Sequence, residues 1–211
     1  MKSSAFLIAL AACLMAACAG KPAEPAWRGD ASAALDNFTS AYLEGKTGLA
    51  ASDFARARLA LSSTGRADLV AHAELVRCAA ITASAGGGEC AGFASLATQA
   101  TPAQRSYAAY LAGRWREVDP ALLPAQQQAA MKTGLSATTD SLSRLVAAGA
   151  MLQAGRLAPA DIGIAIDTAS SEGWRRPLLT WLGIAVQRAR AAGDTAEVTR
   201  LEQRIALTGS L

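Results

Sequence analysis

The sequence has few aromatic residues, a single histidine and almost no net charge. Aromatic residues make up 5% of the 211 residues, and the formal net charge is +3. With one histidine, His72, a zinc site with two or more imidazole ligands cannot form within one chain. A net charge this small indicates neither nucleic-acid binding nor attraction of an acidic substrate.

Motifs for strands and for catalysis are also missing. No stretch of alternating β-branched residues is bounded by turns, and no Cys-x-x-Cys, Gly-x-Ser-x-Gly or Ser-x-x-Lys occurs. We therefore predict no cofactor and no metal site. Catalysis by carboxylates that pair in space, as in peptidoglycan-cleaving glycosidases, remains an alternative. Its candidate residues are Glu74, Glu89, Glu117 and Glu172.

The first eighteen residues differ in composition from the rest of the chain. Lys2 precedes an apolar segment, and thirteen uncharged residues run from Ala5 to Ala17. A membrane-spanning helix needs about twenty apolar residues, so this segment predicts a signal peptide instead. Small residues then stand immediately before Cys18.

The segment Leu14-Met15-Ala16-Ala17-Cys18 resembles the lipobox of bacterial lipoproteins. The resemblance implies cleavage after residues 1–17 and acylation of Cys18. Leu10-Ala11-Ala12-Cys13 also matches the lipobox, but cleavage there would leave a short apolar run and an odd number of thiols. An ordinary signal peptide, cut after a sequence such as Ala9-Leu10-Ala11, is the other alternative.

The lipoprotein resemblance also implies a location. Ala19, not Asp, follows the cysteine, and in enterobacterial lipoproteins this pattern implies delivery to the outer membrane. Acyl chains contribute about 0.8 kcal/mol per buried methylene, so a three-chain anchor is permanent. We expect an outer-membrane protein that faces the periplasm, is bound to the bilayer through Cys18, and has residues 18–31 as its tether.

Helix signals recur through residues 32–211, which we interpret as a single α-helical domain of about ten helices. Thr101-Pro102-Ala103-Gln104 is the clearest start signal, because it combines a capping box with proline at the first helical position. A capping box is also predicted at Asp194-Thr195-Ala196-Glu197. The predicted helices span about 32–44, 52–64 with Ser52 as N-cap, 66–85, 90–100, 101–111, 124–132, 139–154, 159–171, 177–192 and 195–207.

The last third of the chain predicts two helical hairpins whose turn glycines, Gly155 and Gly193, are 38 residues apart. Short connections make successive helices antiparallel, and such hairpins bury their apolar faces by stacking. The pattern resembles tetratricopeptide-type repeats, although the common repeat has about 34 residues. The fold prediction is therefore all-α, with antiparallel hairpins stacked either as an irregular array of this type or as a bundle.

One pair of cysteines and one three-residue segment stand out in the mature chain. In an exported protein, Cys78 and Cys90 on either side of a glycine-rich turn predict a structural disulfide; two buried free cysteines are the alternative. Trp174, Arg175 and Arg176 combine residue types enriched at binding hot spots and predict a partner-binding segment. In the alternative, Trp174 packs into the neighbouring hairpin and the arginines are solvated.

These features favour a non-enzymatic scaffold or adaptor that offers a helical surface to an unidentified periplasmic or envelope protein. An envelope-acting enzyme and a small-molecule or lipid carrier are the alternatives. A groove of exposed apolar side chains favours the scaffold, two convergent carboxylates favour the enzyme, and a closed apolar cavity favours the carrier.

We expect mass spectrometry of the purified native protein to find an acylated N-terminus at Cys18, because the lipobox directs both acylation and cleavage there. An unmodified N-terminus, or an intact one that begins at Met1, would contradict the lipoprotein assignment.

Overall fold

The structure, a computed structural model, describes residues 25–209 as α-helices joined by short turns. Within this range there are ten α-helices and no β-strand, which confirms the predicted all-α fold. The helices are α1 (Ala26–Leu43), α2 (Thr47–Ser62), α3 (Ala67–Ala83), α4 (Ala91–Ala94), α5 (Pro102–Leu111), α6 (Ala125–Thr133), α7 (Ser141–Gln153), α8 (Pro159–Ser171), α9 (Arg175–Ala191) and α10 (Thr195–Thr208). Short 3₁₀ turns lie at Trp115–Glu117, Pro120–Leu122 and Leu135–Ala137.

Turns of three residues join α9 to the helices before and after it. In each turn a glycine has a positive φ, 68° at Gly173 and 71° at Gly193. The N–H of the next residue, Trp174 or Asp194, then donates to a carbonyl in the last turn of the preceding helix at 3.0 Å. Trp174 and Asp194 are the residues immediately before the next helix. Because the turns are this short, α9 runs antiparallel to α8, and α10 runs antiparallel to α9.

Helix α3 lies between two hydrophobic clusters. Val70 and Ala80 pack into a cluster with α1 and α2, whereas Leu75 and Ala79 pack into a larger cluster that extends to the C-terminal helices. Nine of its 17 residues are buried. A helix that is apolar around most of its surface must be covered on both sides, and α3 therefore joins the two parts of the domain.

Helices α3 and α7 cross in close contact at Gly149. A Cβ atom at Gly149 of α7 would overlap the carbonyl oxygen of Thr82 on α3, so only glycine fits at this point. Nearby, the fully buried Trp181 of α9 donates from its indole Nε1 to the carbonyl oxygen of Ala83 at 3.0 Å. These two contacts fix the end of α3 against the C-terminal helices.

The predicted disulfide between Cys78 and Cys90 is confirmed. It ties α3 to the residue that precedes α4, and a bridge that closes a loop of this size contributes about 2 to 4 kcal/mol. Next to it, the buried carboxylate of Glu74 accepts a hydrogen bond from Arg58 Nε at 3.0 Å. Arg77 forms an ion pair with the other oxygen of Glu74, also at 3.0 Å.

Several helix boundaries agree with the sequence predictions. Thr101 and Gln104 form the predicted reciprocal capping box at the start of α5. Helix α8 has the predicted bounds, and α3, α6, α7 and α10 agree within two residues. Strong local caps and turn glycines mark these boundaries in the sequence.

One predicted helix start is wrong and a second is displaced by two residues, because both helices begin further toward the N-terminus than the sequence indicates. Helix α1 begins at Ala26 rather than at residue 32, so it includes the end of the predicted tether, and its Ala31 is buried. Helix α9 begins at Arg175 rather than at Pro177. The first N–H groups of a helix have no partner within it, so proline is tolerated in the first turn.

Two further predictions fail within α2 and α4. Ser52 is not the N-cap of the second helix, which begins at Thr47; its hydroxyl instead donates to the Leu49 carbonyl at 2.8 Å from inside the helix. The predicted helix over residues 90–100 is α-helical only over Ala91–Ala94. There the disulfide at Cys90 and the buried Phe93 hold the segment, and turns follow up to residue 100.

The predicted signal peptide, Cys18 and the first half of the predicted tether lie outside the described residues. In residues 25–209, no helix combines the length and the apolar character that crossing a membrane requires.

Replacing Gly149 with alanine is expected to lower the free energy of unfolding by about 2 to 3 kcal/mol, because the new methyl group forces α3 and α7 apart. Urea denaturation measures the change. Gly163→Ala is the matched control, since a Cβ there meets nothing within 4 Å; it should stabilise α8 by about 0.5 to 1 kcal/mol. Equal effects of the two substitutions would contradict the close crossing.

Candidate functional site

Helices α8 and α10 both pack on α9 and leave an open groove between them, with a volume of about 600 Å³. Side chains of all three helices line this α8–α10 groove. The two short turns at Gly173 and Gly193 hold the three helices in place, so the groove is part of the rigid fold.

The base of the α8–α10 groove is apolar and shallow. Small residues, including Ala185 and Ala189, form the part contributed by α9, and the buried side chains of Ile166 and Leu201 lie on either side. Gly163 of α8 is exposed at the edge and has open space above it. Small side chains of this kind let the backbone of another helix approach closely.

Charged residues of both signs surround the apolar base. The lining contains three acidic and three basic residues, so their formal charges cancel. These residues are Asp167, Asp194 and Glu197, and Arg188, Arg200 and Arg204.

The acidic residues at the start of α10 are already engaged within the chain. Asp194 caps α10 by accepting from the Glu197 N–H at 2.9 Å. The predicted return bond from the Glu197 side chain is absent at this cap, because its carboxylate takes two hydrogen bonds from Arg200 instead, at 2.7 and 2.6 Å. These bonds lower the pKa of Glu197 below its ordinary value.

Arg188 and Asp167 differ from that pair, because neither forms an ion pair within the described residues. Both side chains are exposed and line the α8–α10 groove. Both can therefore pair with a bound partner, as can the half-buried Arg204, which forms no ion pair within the described residues either.

The predicted partner-binding segment, Trp174 to Arg176, lies at the opposite end of α9 from the groove floor. Trp174 is the residue before the first turn of α9 and packs, partly buried, against the larger cluster. Arg175 is half-buried, and its Nε has no hydrogen-bond partner within the described residues. The structure does not bring these residues into the α8–α10 groove.

Arg176 connects α9 to the first hairpin. Its Nε donates to the Tyr42 carbonyl at 2.7 Å, and its terminal nitrogen donates to the Thr47 hydroxyl at 2.7 Å. The guanidinium also lies over the Tyr42 ring, 4.4 Å from its centroid. A cation at the C-terminal end of α1 also interacts favourably with the helix dipole. Arg176 thus has a structural role, for which no local signal exists because its partners are distant in sequence.

The four candidate carboxylates fall into separate environments. Glu74 is buried between two arginines, and Glu172 accepts a hydrogen bond from Ser141 at 2.6 Å. Glu89 and Glu117 converge, because both pair with Arg114, but their side chains are 70% and 61% exposed. Neither lies in the apolar pocket that surrounds a general acid in glycosidases.

A row of aromatic rings lies beside these arginine pairs. Tyr107 stacks on Tyr110, and Tyr110 stacks on Trp115, with centroids 6.2 and 5.7 Å apart. Arg156 also lies over the Trp115 ring at 5.1 Å. Burial raises the pKa of Tyr107 to about 12. These rings are part of the packed fold.

His72 is exposed and lines a hollow with Trp27 near the start of α1. Among the described residues, no three histidine, cysteine or acidic side chains are grouped so that they could hold a metal ion.

No protein-family model, curated protein or solved structure matches this chain. The resemblance of the hairpins to tetratricopeptide-type repeats therefore stays a prediction.

Replacing Arg176 with alanine is expected to lower the free energy of unfolding by about 1.5 to 3 kcal/mol, because it removes charge-assisted hydrogen bonds between α9 and the first hairpin. Urea denaturation measures this loss. Arg190→Ala is the control on the same helix, since its exposed ion pair with Glu202 contributes less than about 1 kcal/mol. A similar loss for both variants would contradict the structural role of Arg176.

Proposed function

We propose that this chain is an outer-membrane lipoprotein, anchored through Cys18, whose helical domain is a non-enzymatic scaffold that binds an envelope protein in the α8–α10 groove. The observation that carries the proposal is the groove itself, which has an apolar base, small side chains and an open surface. The anchor is supported by the lipobox-like segment that ends at Cys18.

The shape of the groove favours an α-helix of the partner. Helices α8 and α10 rest on the same helix and pack little against each other, so an apolar trough runs between them. An amphipathic helix binds such a trough with side chains spaced three and four residues apart. The small residues of α9 allow it to lie close to the base.

Because the charges around the groove cancel, we expect a partner to be selected by its shape and not by its net charge. The formal charges of the lining cancel, and the Glu197–Arg200 pair is already satisfied. A partner helix with a carboxylate near Arg188 and a basic side chain near Asp167 gains two exposed ion pairs, each contributing less than about 1 kcal/mol. Most of the affinity therefore comes from the apolar base, and binding should depend only weakly on salt.

Gly163→Phe is expected to abolish recovery of the partner when the native lipoprotein is purified from envelope membranes. A Cβ at residue 163 meets nothing within 4 Å, so the side chain can extend into the groove, where the phenyl ring occupies the place of the partner helix. Quantitative mass spectrometry of the co-purified proteins measures the change.

Gly48→Phe is the matched control, because Gly48 is also an exposed helix residue with nothing within 4 Å of a Cβ. Recovery should be unchanged in this variant. Arg175→Ala tests in parallel the recognition that the sequence predicts for residues 174–176. If Gly163→Phe and Gly48→Phe retain the same proteins, the groove is not the binding site.

A further inference from the structure

The end of the first hairpin at which the chain enters the domain combines an aromatic and an aliphatic residue near the surface. Trp27, partly buried, lies two residues after Pro25 and lines a hollow together with Leu61 of α2. Two residues before Leu61, on another side of α2, the Leu59 side chain is 72% exposed and lines a second hollow with Ala33 of α1. We call the end of the hairpin that carries Trp27 and Leu59 the entrance end.

Helix α9 attaches at the other end of the same hairpin. Arg176 binds Tyr42 and Thr47, where α1 ends and α2 begins. Helix α1 has 18 residues and is therefore about 27 Å long. Helix α9 thus joins the hairpin far from the entrance end.

The proposed lipid anchor lies only a short distance along the chain from the entrance end. Eight residues run from Cys18 to Pro25, and even a fully extended chain of that length spans at most about 29 Å. A domain of this size is about 40 Å across. The connection is therefore too short for the opposite face of the domain to contact the bilayer to which Cys18 is attached.

The entrance end is close to electrically neutral. Arg66 donates two hydrogen bonds to Asp68, at 3.2 and 2.6 Å. The other charges here are Arg28, whose guanidinium lies 5.3 Å from the centroid of the Trp27 ring, and Asp30. Contact with a membrane at this surface is accordingly apolar, with tryptophan at the headgroup level that it prefers.

We infer that the entrance end rests on the bilayer, with Leu59 and Trp27 at the depth of the lipid headgroups. The inference rests on the proposed lipid anchor and adds an orientation to it. The α1–α2 hairpin then stands between the membrane and the point at which α9 is attached.

Site-directed fluorescence in vesicles of phosphatidylethanolamine and phosphatidylglycerol tests this orientation. Leu59→Cys provides the one free thiol of the mature lipoprotein, since Cys78 and Cys90 are bridged and Cys18 is the proposed acylation site. An environment-sensitive dye at residue 59 should shift to the blue and be quenched by spin-labelled lipids. Leu49→Cys, at the opposite end of α2, and Leu207→Cys are controls, because these leucines are 53% and 89% exposed. Their labels should stay unquenched.

Flotation of the same vesicles measures the anchor separately. If the native protein floats and the label at residue 59 is quenched no more than those at 49 and 207, the orientation is overturned while the anchor stands. If the native protein does not float with the vesicles, the anchor fails and the orientation fails with it. Insensitivity of the quenching at residue 59 to added salt is expected for an apolar contact.

Discussion

Helix α3 carries apolar side chains around most of its circumference, and it must therefore be covered on both sides. The first hairpin covers one side, and the helices that follow the disulfide cover the other. The alanines of α3 leave room for this, because small side chains let neighbouring helices lie close. At Gly149, which contacts Thr82, even the methyl group of alanine would be too large.

Large side chains complete the packing where the small ones leave space. Trp181 is fully buried, and its hydrogen bond to the Ala83 carbonyl satisfies a group at the C-terminal end of α3 that lacks a helical partner. Arg176 adds a second hydrogen bond to the Tyr42 carbonyl at the end of α1, which also accepts the Gly45 N–H at 3.1 Å. In both cases a residue of α9 stabilises the end of an N-terminal helix, so α9 joins the two parts of the domain as much as α3 does.

The parts of the fold that could be predicted from the sequence are those with a local physical cause. The cap at Thr101 and the bounds of α8 depend on residues within one helical turn of each boundary. The disulfide followed from parity and the exported setting. Ser52 shows the limit of such signals, since a serine hydroxyl that caps a helix start also bonds back to a carbonyl within a helix.

No comparable local signal in the sequence predicts the α8–α10 groove or the contacts of Arg176. Arg176 and Tyr42 are 134 residues apart, and only the complete fold brings them together. The groove is a space that α8 and α10 leave uncovered, so it depends on the packing of three helices and not on a motif. The same holds for the convergence of Glu89 and Glu117 on Arg114.

The turns at Gly173 and Gly193 have a consequence for how the groove can change. Main-chain hydrogen bonds hold these turns, so the direction in which α8, α9 and α10 follow one another does not depend on the exposed side chains of the groove, such as Asp167 and Arg188. Substitutions of those exposed residues can alter what binds while the packed base is unchanged. The surface is therefore suited to divergence during evolution, and to redesign in the laboratory, on an unchanged scaffold.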